Sequence, residues 1–306
     1  MKSNLKKVIC VMGPTCSGKT AIACEIAAHI NVEIISVDSI MVYKGLDIGT
    51  AKPSKAELRA YPHHLVDICD SAENYSVGRF CNDISELVPK IIERGNVPLL
   101  VGGTALYFHS LQNGINSLPE SKPFEKASLV NPVDLPEAYR KLSSIDPKAA
   151  SQINSNDKQR IFRALEVYNL TGNLMSDYHA QPKIKLGYDF TNIILWPDRD
   201  KLKAKIADRF DIMLQNGFVD EVFNLRARAD LSLDNSAIRS VGYKQVWEYL
   251  DGKYDEKLMR EKATIATRQL AKRQITWFKK FQGRVFDSLG KDSIVDKYLL
   301  YLEKEL

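Results

Sequence analysis

The amino-acid sequence predicts an α/β protein whose parallel sheet is interrupted by a helical insertion. Short apolar segments alternate with helical patterns over the first third of the chain, and continuous apolar strands are typical of a parallel sheet covered on both faces. A proline-rich segment and several helical patterns follow, before the strand-like sequence TNIILWP. We therefore expect a core at residues 1–117 and 193–306 and an insertion domain at residues 118–192.

The elements of the core follow from the spacing of its apolar residues. The segments VICVMG, VEIISVDS, HHLVDIC and NVPLLVGG are strand-like, whereas GKTAIACEIAAHI and SVGRFCNDISELVPKIIERG have helical periodicity. Pro89 lies inside the second helix and predicts a bend there. After TNIILWP the chain is mostly helical and closes with the strand-like GRVFDSL.

The insertion is predicted to contain helices behind a broken connection. The connection LPESKPFEKASLVNPVDLP is rich in proline, and the helical segments PEAYRKLSSI, PKAASQI and NDKQRIFRALEVYNLTG follow it. Asn156 or Asp157 is a suitable N-cap for the last helix, and Gly172 a suitable terminator.

Composition and cysteine spacing indicate a globular, cytoplasmic protein. Hydrophobic residues make up 44% of the 306 positions and charged residues 26%, with a net charge of +5, which are ordinary globular values. Five cysteines without a C-x-x-C pair favour reduced thiols. No apolar run approaches the ~18 residues that a membrane span needs, so we expect no membrane contact, and we take the chain as a monomer.

His63 and His64 lack further ligands at metal spacing and are predicted to be buried or capping.

The segment GPTCSGKT matches the pattern G-x-x-x-x-G-K-[ST] directly after the first strand. Glycines allow the backbone to wrap around phosphate oxygens, and the helix that begins there adds its positive dipole end. Lysine supplies a charge, and the final threonine hydroxyl a ligand for Mg²⁺. The sequence thus predicts a P-loop nucleoside-triphosphatase-like core, with a phosphate loop formed by Gly13, Pro14, Thr15, Cys16, Ser17, Gly18, Lys19 and Thr20.

Two further polar groups are predicted to lie beside this loop. Asp38 and Ser39 follow the second strand, and Thr104 follows the strand NVPLLVGG; ligands of such sheets bind outside the carboxyl ends of the strands. From position alone, Asp38 could equally be a structural loop residue, and the glycines before Thr104 a tight turn.

The loop by itself leaves open whether its phosphate belongs to a nucleotide or to another diphosphate. A nucleotide hydrolase usually has a strand ending in a metal-binding aspartate, and only Asp38 could serve. A small-molecule kinase usually has an arginine-rich lid, whereas Arg160 and Arg163 lie in a regular helical pattern.

Seven segments occur in the order found in the tRNA dimethylallyltransferase family, which the chain resembles from residue 7 to residue 278. They are GPTCSGKT, SVDSIMVYKGLDIGTAKP, PHHLVDI, VPLLVGGTALYF, NDKQRIFRALEV, SAIRSVGYKQVWEYL and ATRQLAKRQITWF. The resemblance implies that the phosphate loop holds dimethylallyl diphosphate, and that the acceptor is the exocyclic amine of adenosine 37, 3′ to the anticodon of tRNA. It also implies Mg²⁺ as cofactor, Asp38 as proton acceptor and Thr104 as a hydrogen-bond donor to the leaving group.

The resemblance also implies contacts to the anticodon stem-loop. The first set is Asp38, Ser39, Ile40 and Met41; the second is Gln159, Arg160, Ile161, Phe162 and Arg163; the third is Arg239, Ser240, Val241, Gly242, Tyr243 and Lys244. Arg268 and Lys272 lie four positions apart on a late basic helix, a face suited to phosphate contacts. That helix could equally be a solvated one, packed through Ala266, Leu270 and Trp277.

The chain departs from the family pattern at three places. Cys16 replaces a common alanine, and we expect its side chain to point away from the phosphates. The stretch between Leu118 and Asn156 is shorter than usual, and Lys126 stands where an arginine often contacts tRNA, which keeps the charge but loses the planar fork.

The rival hypotheses are a small-molecule kinase that uses ATP and a nucleic-acid-binding protein without chemistry.

Overall fold

A computed structural model describes residues 6–120, 134–288 and 295–305. These form two compact units, Met1–His109 with Gly187–Leu306 and, separately, Ser110–Leu186. The insertion unit therefore starts before residue 118, because Ile115 pairs with Ile184 inside it. It ends before residue 192, because the chain has by then entered a strand of the core sheet.

The core unit is built on a six-stranded sheet in which every strand pair is parallel, as the sequence predicts. Its strands are β1 (Lys6–Met12), β2 (Val32–Val37), β3 (His63–His64), β4 (Val97–Gly102), β5 (Tyr188–Leu195) and β6 (Arg284–Phe286), in the order β3-β2-β4-β1-β5-β6. Gly102 pairs with both Met12 and Val37, so the carboxyl ends of β1, β2 and β4 lie level at one edge. We call this the carboxyl edge.

The predicted strand HHLVDIC is wrong beyond its first two residues. Leu65 and Asp67 have φ angles of 61° and 56°, which take the backbone out of the extended conformation. The ring of His64 bonds Glu33, and that of His63 bonds the Tyr61 carbonyl. Both histidines are half-buried, as structural residues would be. In the parts of the chain that the structure describes, no group of three His, Cys, Asp or Glu could hold a metal ion.

Four helices belong to the first stretch of the chain: α1 (Lys19–His29), α2 (Lys55–Ala60), α3 (Val77–Glu93) and α4 (Ala105–Asn113). The Ser76 hydroxyl caps α3 by accepting the Arg79 N–H, and Pro89 lies within the helix. Its buried face repeats at helical spacing through Phe80, Ile84 and Val88. This periodicity is the reason that the segment folds as a helix.

The insertion unit consists of α5 (Leu135–Ile145), α6 (Pro147–Ala150), α7 (Lys158–Thr171) and α8 (Met175–Ala180). Its core includes Leu142, Ile161 and Leu165. The predicted ends of α7 are confirmed: Asp157, rather than Asn156, caps it, and Gly172 ends it in the left-handed conformation.

The remaining helices of the core unit are α9 (Arg199–Gln215), α10 (Phe218–Arg226), α11 (Tyr243–Leu250), α12 (Glu256–Phe278) and α13 (Val295–Glu305). Tyr298 and Leu302 of α13 join Ile9 and Val11 of β1 in one apolar cluster. Alternate β1 side chains point to the opposite face, where Val8 is also fully buried. Both faces of the sheet are therefore covered. Within the described ranges, no helix is long and apolar enough to cross a membrane.

Candidate functional site

The three polar segments predicted at the carboxyl edge lie together there. The Ser39 N–H donates to Thr104 Oγ1 at 3.1 Å, and the Thr104 N–H donates to the Val37 carbonyl at 3.2 Å. A side chain at Gly102 would place its Cβ 1.9 Å from the Val37 carbonyl oxygen, so only glycine allows the ends of β2 and β4 to approach this closely. The segments after β2 and β4 are thus joined directly.

The phosphate loop (residues 13–20) has the backbone that an anion-binding concavity needs. Cys16 and Gly18 are left-handed, with φ angles of 62° and 82°, and alternation of this kind turns successive N–H groups toward one point. Gly18 also precedes the first turn of α1, whose dipole favours an anion. The loop therefore has the geometry of a diphosphate site.

Lys19 is held at the start of α1 with its ammonium group folded back over the loop. Its Nζ donates to the Pro14 carbonyl at 2.7 Å. Burial lowers the pKa of Lys19 to about 8; the carboxylate of Asp38 opposes this shift, and the guanidinium of Arg209 adds to it. An arriving diphosphate would neutralise this crowded positive charge.

Asp38 is oriented by its own turn. Its Oδ1 accepts the N–H groups of Ile40 at 2.8 Å and of Met41 at 3.2 Å. Among the residues that the structure describes, Oδ2 makes no hydrogen bond. The carboxylate is therefore fixed through one oxygen while the other can accept a proton from a ligand.

Arg209 belongs to this site although the sequence analysis did not single it out. From α9, its Nη2 donates to the Thr50 carbonyl at 2.9 Å, and its Nη1 lies 3.5 Å from Thr15 Oγ1. It adds a second cation, with a planar fork suited to phosphate oxygens. In sequence it is one arginine on an amphipathic helix, and no local pattern distinguishes it from the others.

Gln274 of α12 also reaches the phosphate loop and was likewise missed. Its Oε1 accepts the Thr15 N–H, and its Nε2 donates to the Gly103 carbonyl, each at 2.9 Å. It lies in the basic segment that the sequence analysis connected only with tRNA.

The hydroxyl groups of the phosphate loop suit a Mg²⁺ ion that binds together with the diphosphate. In the described part of the chain, no cluster of acidic or imidazole ligands could bind a metal on its own. The fully buried hydroxyl of Ser17 has no hydrogen-bond partner there, and Thr20 lies half-exposed in the first turn of α1. Hydroxyl and phosphate oxygens are the hard donors that Mg²⁺ prefers.

The structure divides the predicted tRNA contacts of α7 into exposed and buried residues. Gln159 and Arg160 are exposed, but Ile161 is fully buried in the core of the insertion unit. Arg163 donates to the buried carboxylate of Glu166 at 2.7 Å and also to the Pro119 carbonyl. Phe162 is half-buried. The side chain of Ile161 is therefore part of a core and is not available to RNA.

The segment at residues 239–244 is divided in the same way. Arg239 and Lys244 are exposed, and Ser240 and Val241 are half-buried. Gly242 is buried with a φ of 94°, and its N–H donates to Oε1 of Gln245 at 2.8 Å. The ring of Tyr243 packs edge-on against Phe218, with centroids 5.0 Å apart. The two exposed cations remain as candidate phosphate contacts.

The basic helix is α12, and the residues predicted to pack are not its most deeply buried ones. Ala266, Leu270 and Trp277 are half-buried, whereas the buried residues are Met259, Ala263, Ala271, Ile275 and Phe278. Arg268, Lys272 and Arg273 are exposed. The exposed surface of α12 therefore includes the basic residues that were predicted to contact phosphate. Lys126 lies outside the described residues.

The thiol of Cys16 lies 3.9 Å from Arg209 Nη1 and also packs against an apolar surface. It lies against an apolar cluster formed by Leu202, Ile206, Ala271 and Ile275 of α9 and α12. The thiol therefore takes the place of a small apolar side chain.

Comparison with known proteins gives consistent matches. The family model IPP transferase matches residues 41–281, and Isopentenyl transferase matches residues 6–67. The chain is 50% identical to a tRNA dimethylallyltransferase of Legionella pneumophila over 92% of this chain and 91% of the relative.

Two solved structures are similar over almost the whole chain. One is the full-length tRNA isopentenylpyrophosphate transferase of Bacillus halodurans, at 35% identity and a TM-score of 0.71, covering 98% of this chain and 96% of that one. The other is a eukaryotic dimethylallyltransferase acting on tRNA, at 27% identity and a TM-score of 0.83, covering 98% of this chain and 79% of that one.

Proposed function

The chain belongs to the IPP transferase family of tRNA dimethylallyltransferases, and we propose how its site carries out the reaction. It is an enzyme that transfers a dimethylallyl group to tRNA. We propose that the donor is dimethylallyl diphosphate and that the acceptor is the exocyclic amine of adenosine 37. The products are then N6-(dimethylallyl)adenosine and diphosphate.

The observation that carries this proposal is the junction of the strand ends at the carboxyl edge. The hydrogen bond from the Ser39 N–H to Thr104 Oγ1 brings the acidic segment beside the threonine that we propose as a donor to the leaving group. Asp38 lies near enough to Lys19 to favour the charged form of the ammonium group, so the same segment also lies beside the phosphate loop. A proton acceptor and a diphosphate cradle are what an allylic transfer to a neutral amine requires.

In the proposed step, the bond from the allylic carbon to the diphosphate oxygen breaks as the bond to the adenine nitrogen forms. Positive charge develops on the allyl group and negative charge on the leaving oxygen. Lys19, Arg209 and the loop N–H groups stabilise the leaving diphosphate. The nitrogen loses one proton, which Asp38 accepts through the oxygen that its turn leaves unused.

Mg²⁺ fits this arrangement as a companion of the diphosphate. Thr20 would hold the ion through its hydroxyl, and the ion would add charge stabilisation to the leaving group when bound.

The acceptor base must leave its stack in the anticodon loop to reach Asp38. Extrusion of a base costs about a few kcal/mol. The exposed cations Arg160, Arg239 and Lys244, together with Arg268 and Lys272 of α12, supply phosphate contacts that offset this cost.

We place the enzyme in the cytoplasm, as a monomer. The cysteines are all free, in keeping with a reducing compartment. The phosphate loop, Asp38, Thr104 and Arg209 all come from one chain, so a single copy supplies the residues that the proposed reaction uses.

The test is a transfer assay with the purified chain, Mg²⁺ and unmodified tRNA. One reaction receives radiolabelled dimethylallyl diphosphate and the other γ-labelled ATP. We expect label in tRNA from the prenyl donor alone. Asp38→Asn keeps the turn but removes the base, so transfer should fall by about 10²- to 10⁴-fold while tRNA affinity is largely retained.

Asp220→Asn is the matched control, because Asp220 is exposed on α10 and the change removes the same charge. Transfer at the normal rate by Asp38→Asn would refute the proposed base. Phosphoryl transfer from ATP, with none from the prenyl donor, would identify a kinase instead.

A further inference from the structure

We propose that Gln274 is a positioning residue that sets the phosphate loop against the Thr104 segment, so that both contact the same diphosphate. This inference rests on the proposed function. Gln274 itself need not touch the substrate. Its role follows from two hydrogen bonds that one side-chain amide makes to two distant segments.

The first bond holds the phosphate loop. The Oε1 of Gln274 accepts the Thr15 N–H at 2.9 Å. Thr15 precedes Cys16, whose φ of 62° is costly for a residue with a side chain. A fixed Thr15 therefore helps to maintain the backbone turn that directs the following N–H groups toward phosphate.

The second bond holds the peptide before Thr104. The Nε2 of Gln274 donates to the Gly103 carbonyl at 2.9 Å. A Cβ at Gly103 would lie 2.5 Å from this Nε2 and 3.4 Å from the Gly13 carbonyl oxygen. Glycine at this position thus lets the amide of Gln274 reach both segments.

Only a side chain with a donor and an acceptor on one planar group can make both bonds. Glutamate would lose the donor and place a negative charge beside the diphosphate, and methionine would lose both bonds at nearly the same volume. Because the proposed function has both segments contact the leaving group, loosening either one should lower preorganisation of the site for the transition state.

The experiment compares the full-length wild type with Gln274→Met and Gly103→Ala. Gly103→Ala leaves Gln274 in place but pushes its side-chain amide away from the Gly103 peptide. The new Cβ would meet Nε2 of Gln274, which can move because it is the end of a flexible side chain. Gln269→Met, at an exposed position of the same helix, is the control. The readouts are calorimetric affinity for inorganic pyrophosphate with Mg²⁺ and single-turnover transfer to tRNA.

We expect both test variants to weaken pyrophosphate binding by about tenfold, as the loss of two hydrogen bonds implies, and to slow single-turnover transfer. We also expect Thr104→Ala to cost less in the Gln274→Met background than in the wild type, because Thr104 is then already misplaced. The control should match the wild type.

Unchanged pyrophosphate affinity in Gln274→Met overturns the proposal. The proposal is also overturned if Gln274→Met lowers the melting temperature and if the effects of Gln274→Met and Thr104→Ala on single-turnover transfer are fully additive. That result would show that Gln274 has a merely structural role. If the wild type binds pyrophosphate but transfers no prenyl group, and Gln274→Met binds pyrophosphate more weakly, the positioning role stands and the proposed function fails.

Discussion

At the scale of single residues, the phosphate loop gathers positive charge before its anion arrives. Lys19 lies beside Arg209, and desolvation is the main cause that lowers its pKa to about 8. The Pro14 carbonyl accepts a hydrogen bond from the ammonium group in the meantime, and the nearby Asp38 carboxylate favours its charged form. Because the bound diphosphate would favour the charged form of Lys19, the free and the loaded enzyme should respond differently to pH.

We therefore predict that kcat/KM for the prenyl donor falls as the pH rises through about 8, where Lys19 loses its proton. The pH dependence of kcat/KM reports the pKa values of groups in the free enzyme, whereas that of kcat reports those in the enzyme–substrate complex. Because the bound diphosphate favours the charged form of Lys19, kcat should decline at a higher pH than kcat/KM does. Steady-state rates from pH 7 upward check this.

Lys19→Arg is the informative variant, since arginine stays charged throughout. Whatever its overall activity, its kcat/KM should lack the alkaline decline. A profile of the wild type that stays flat through this range would contradict the assignment to Lys19.

At the scale of elements, α12 combines packing with two polar functions. Its buried residues pack into the core unit, Gln274 bonds the phosphate loop, and Arg268, Lys272 and Arg273 remain in solvent. One helix thus presents a basic surface and, through Gln274, a contact to the diphosphate site. RNA bound to the basic surface would be held by the helix that also braces the loop.

For α12 we predict that Arg268→Ala and Lys272→Ala each weaken tRNA binding by about three- to tenfold at low salt and reduce the salt slope by about one. Pyrophosphate affinity should be unaffected, because neither side chain contacts the loop. Filter binding of tRNA over a series of salt concentrations measures both effects.

Lys257→Ala, at an exposed position in the first turn of the same helix, serves as the control for net charge. If all three variants lose the same affinity, the effect belongs to overall charge and not to a basic face at Arg268 and Lys272.

At the scale of the whole molecule, a polar cluster at the start of β2 holds several segments together, away from the carboxyl edge. Glu33 accepts two bonds from Arg94, at 2.8 and 2.7 Å, and further bonds from Asn96 and the ring of His64. Its side chain is 17% exposed. The bond from Arg94 is the main cause that lowers the pKa of Glu33 from 4.5 to about 2.

Because this pKa is lower in the folded state, Glu33 stabilises the fold above the pKa of an unfolded glutamic acid. The stabilisation should be lost as the pH falls from about 4.5 toward about 2. We predict that Glu33→Gln lowers the free energy of unfolding by about 1–3 kcal/mol at neutral pH. The difference from the wild type should shrink in that acidic range, as urea denaturation would show.

Glu86→Gln, at an exposed position of α3, controls for the loss of a surface carboxylate, and prenyl transfer per folded molecule should be unchanged in both variants. A Glu33→Gln protein as stable as the control would show that the cluster contributes nothing.

Local patterns were enough to predict much of this molecule, and their failures have physical causes. The cap and terminator of α7 were predicted because Asp157 and Gly172 act within one turn of helix. The strand HHLVDIC was overpredicted because hydropathy does not report the left-handed residues that bend its second half. Ala266, Leu270 and Trp277 of α12 were predicted to pack and are half-buried, but the more deeply buried residues of that helix were not identified, because they face neighbours that are distant in sequence.

By itself, the sequence determined the parallel α/β class, the phosphate loop and the polar residues after β2 and β4, since each depends on spacing within a few positions. Only the tertiary structure decided that Arg209 and Gln274 join that loop, because their contacts to it span 194 and 259 positions. It also decided that Ile161 and Tyr243 are buried. Burial and long-range contact depend on which surfaces meet when the chain packs, and no short segment carries that information.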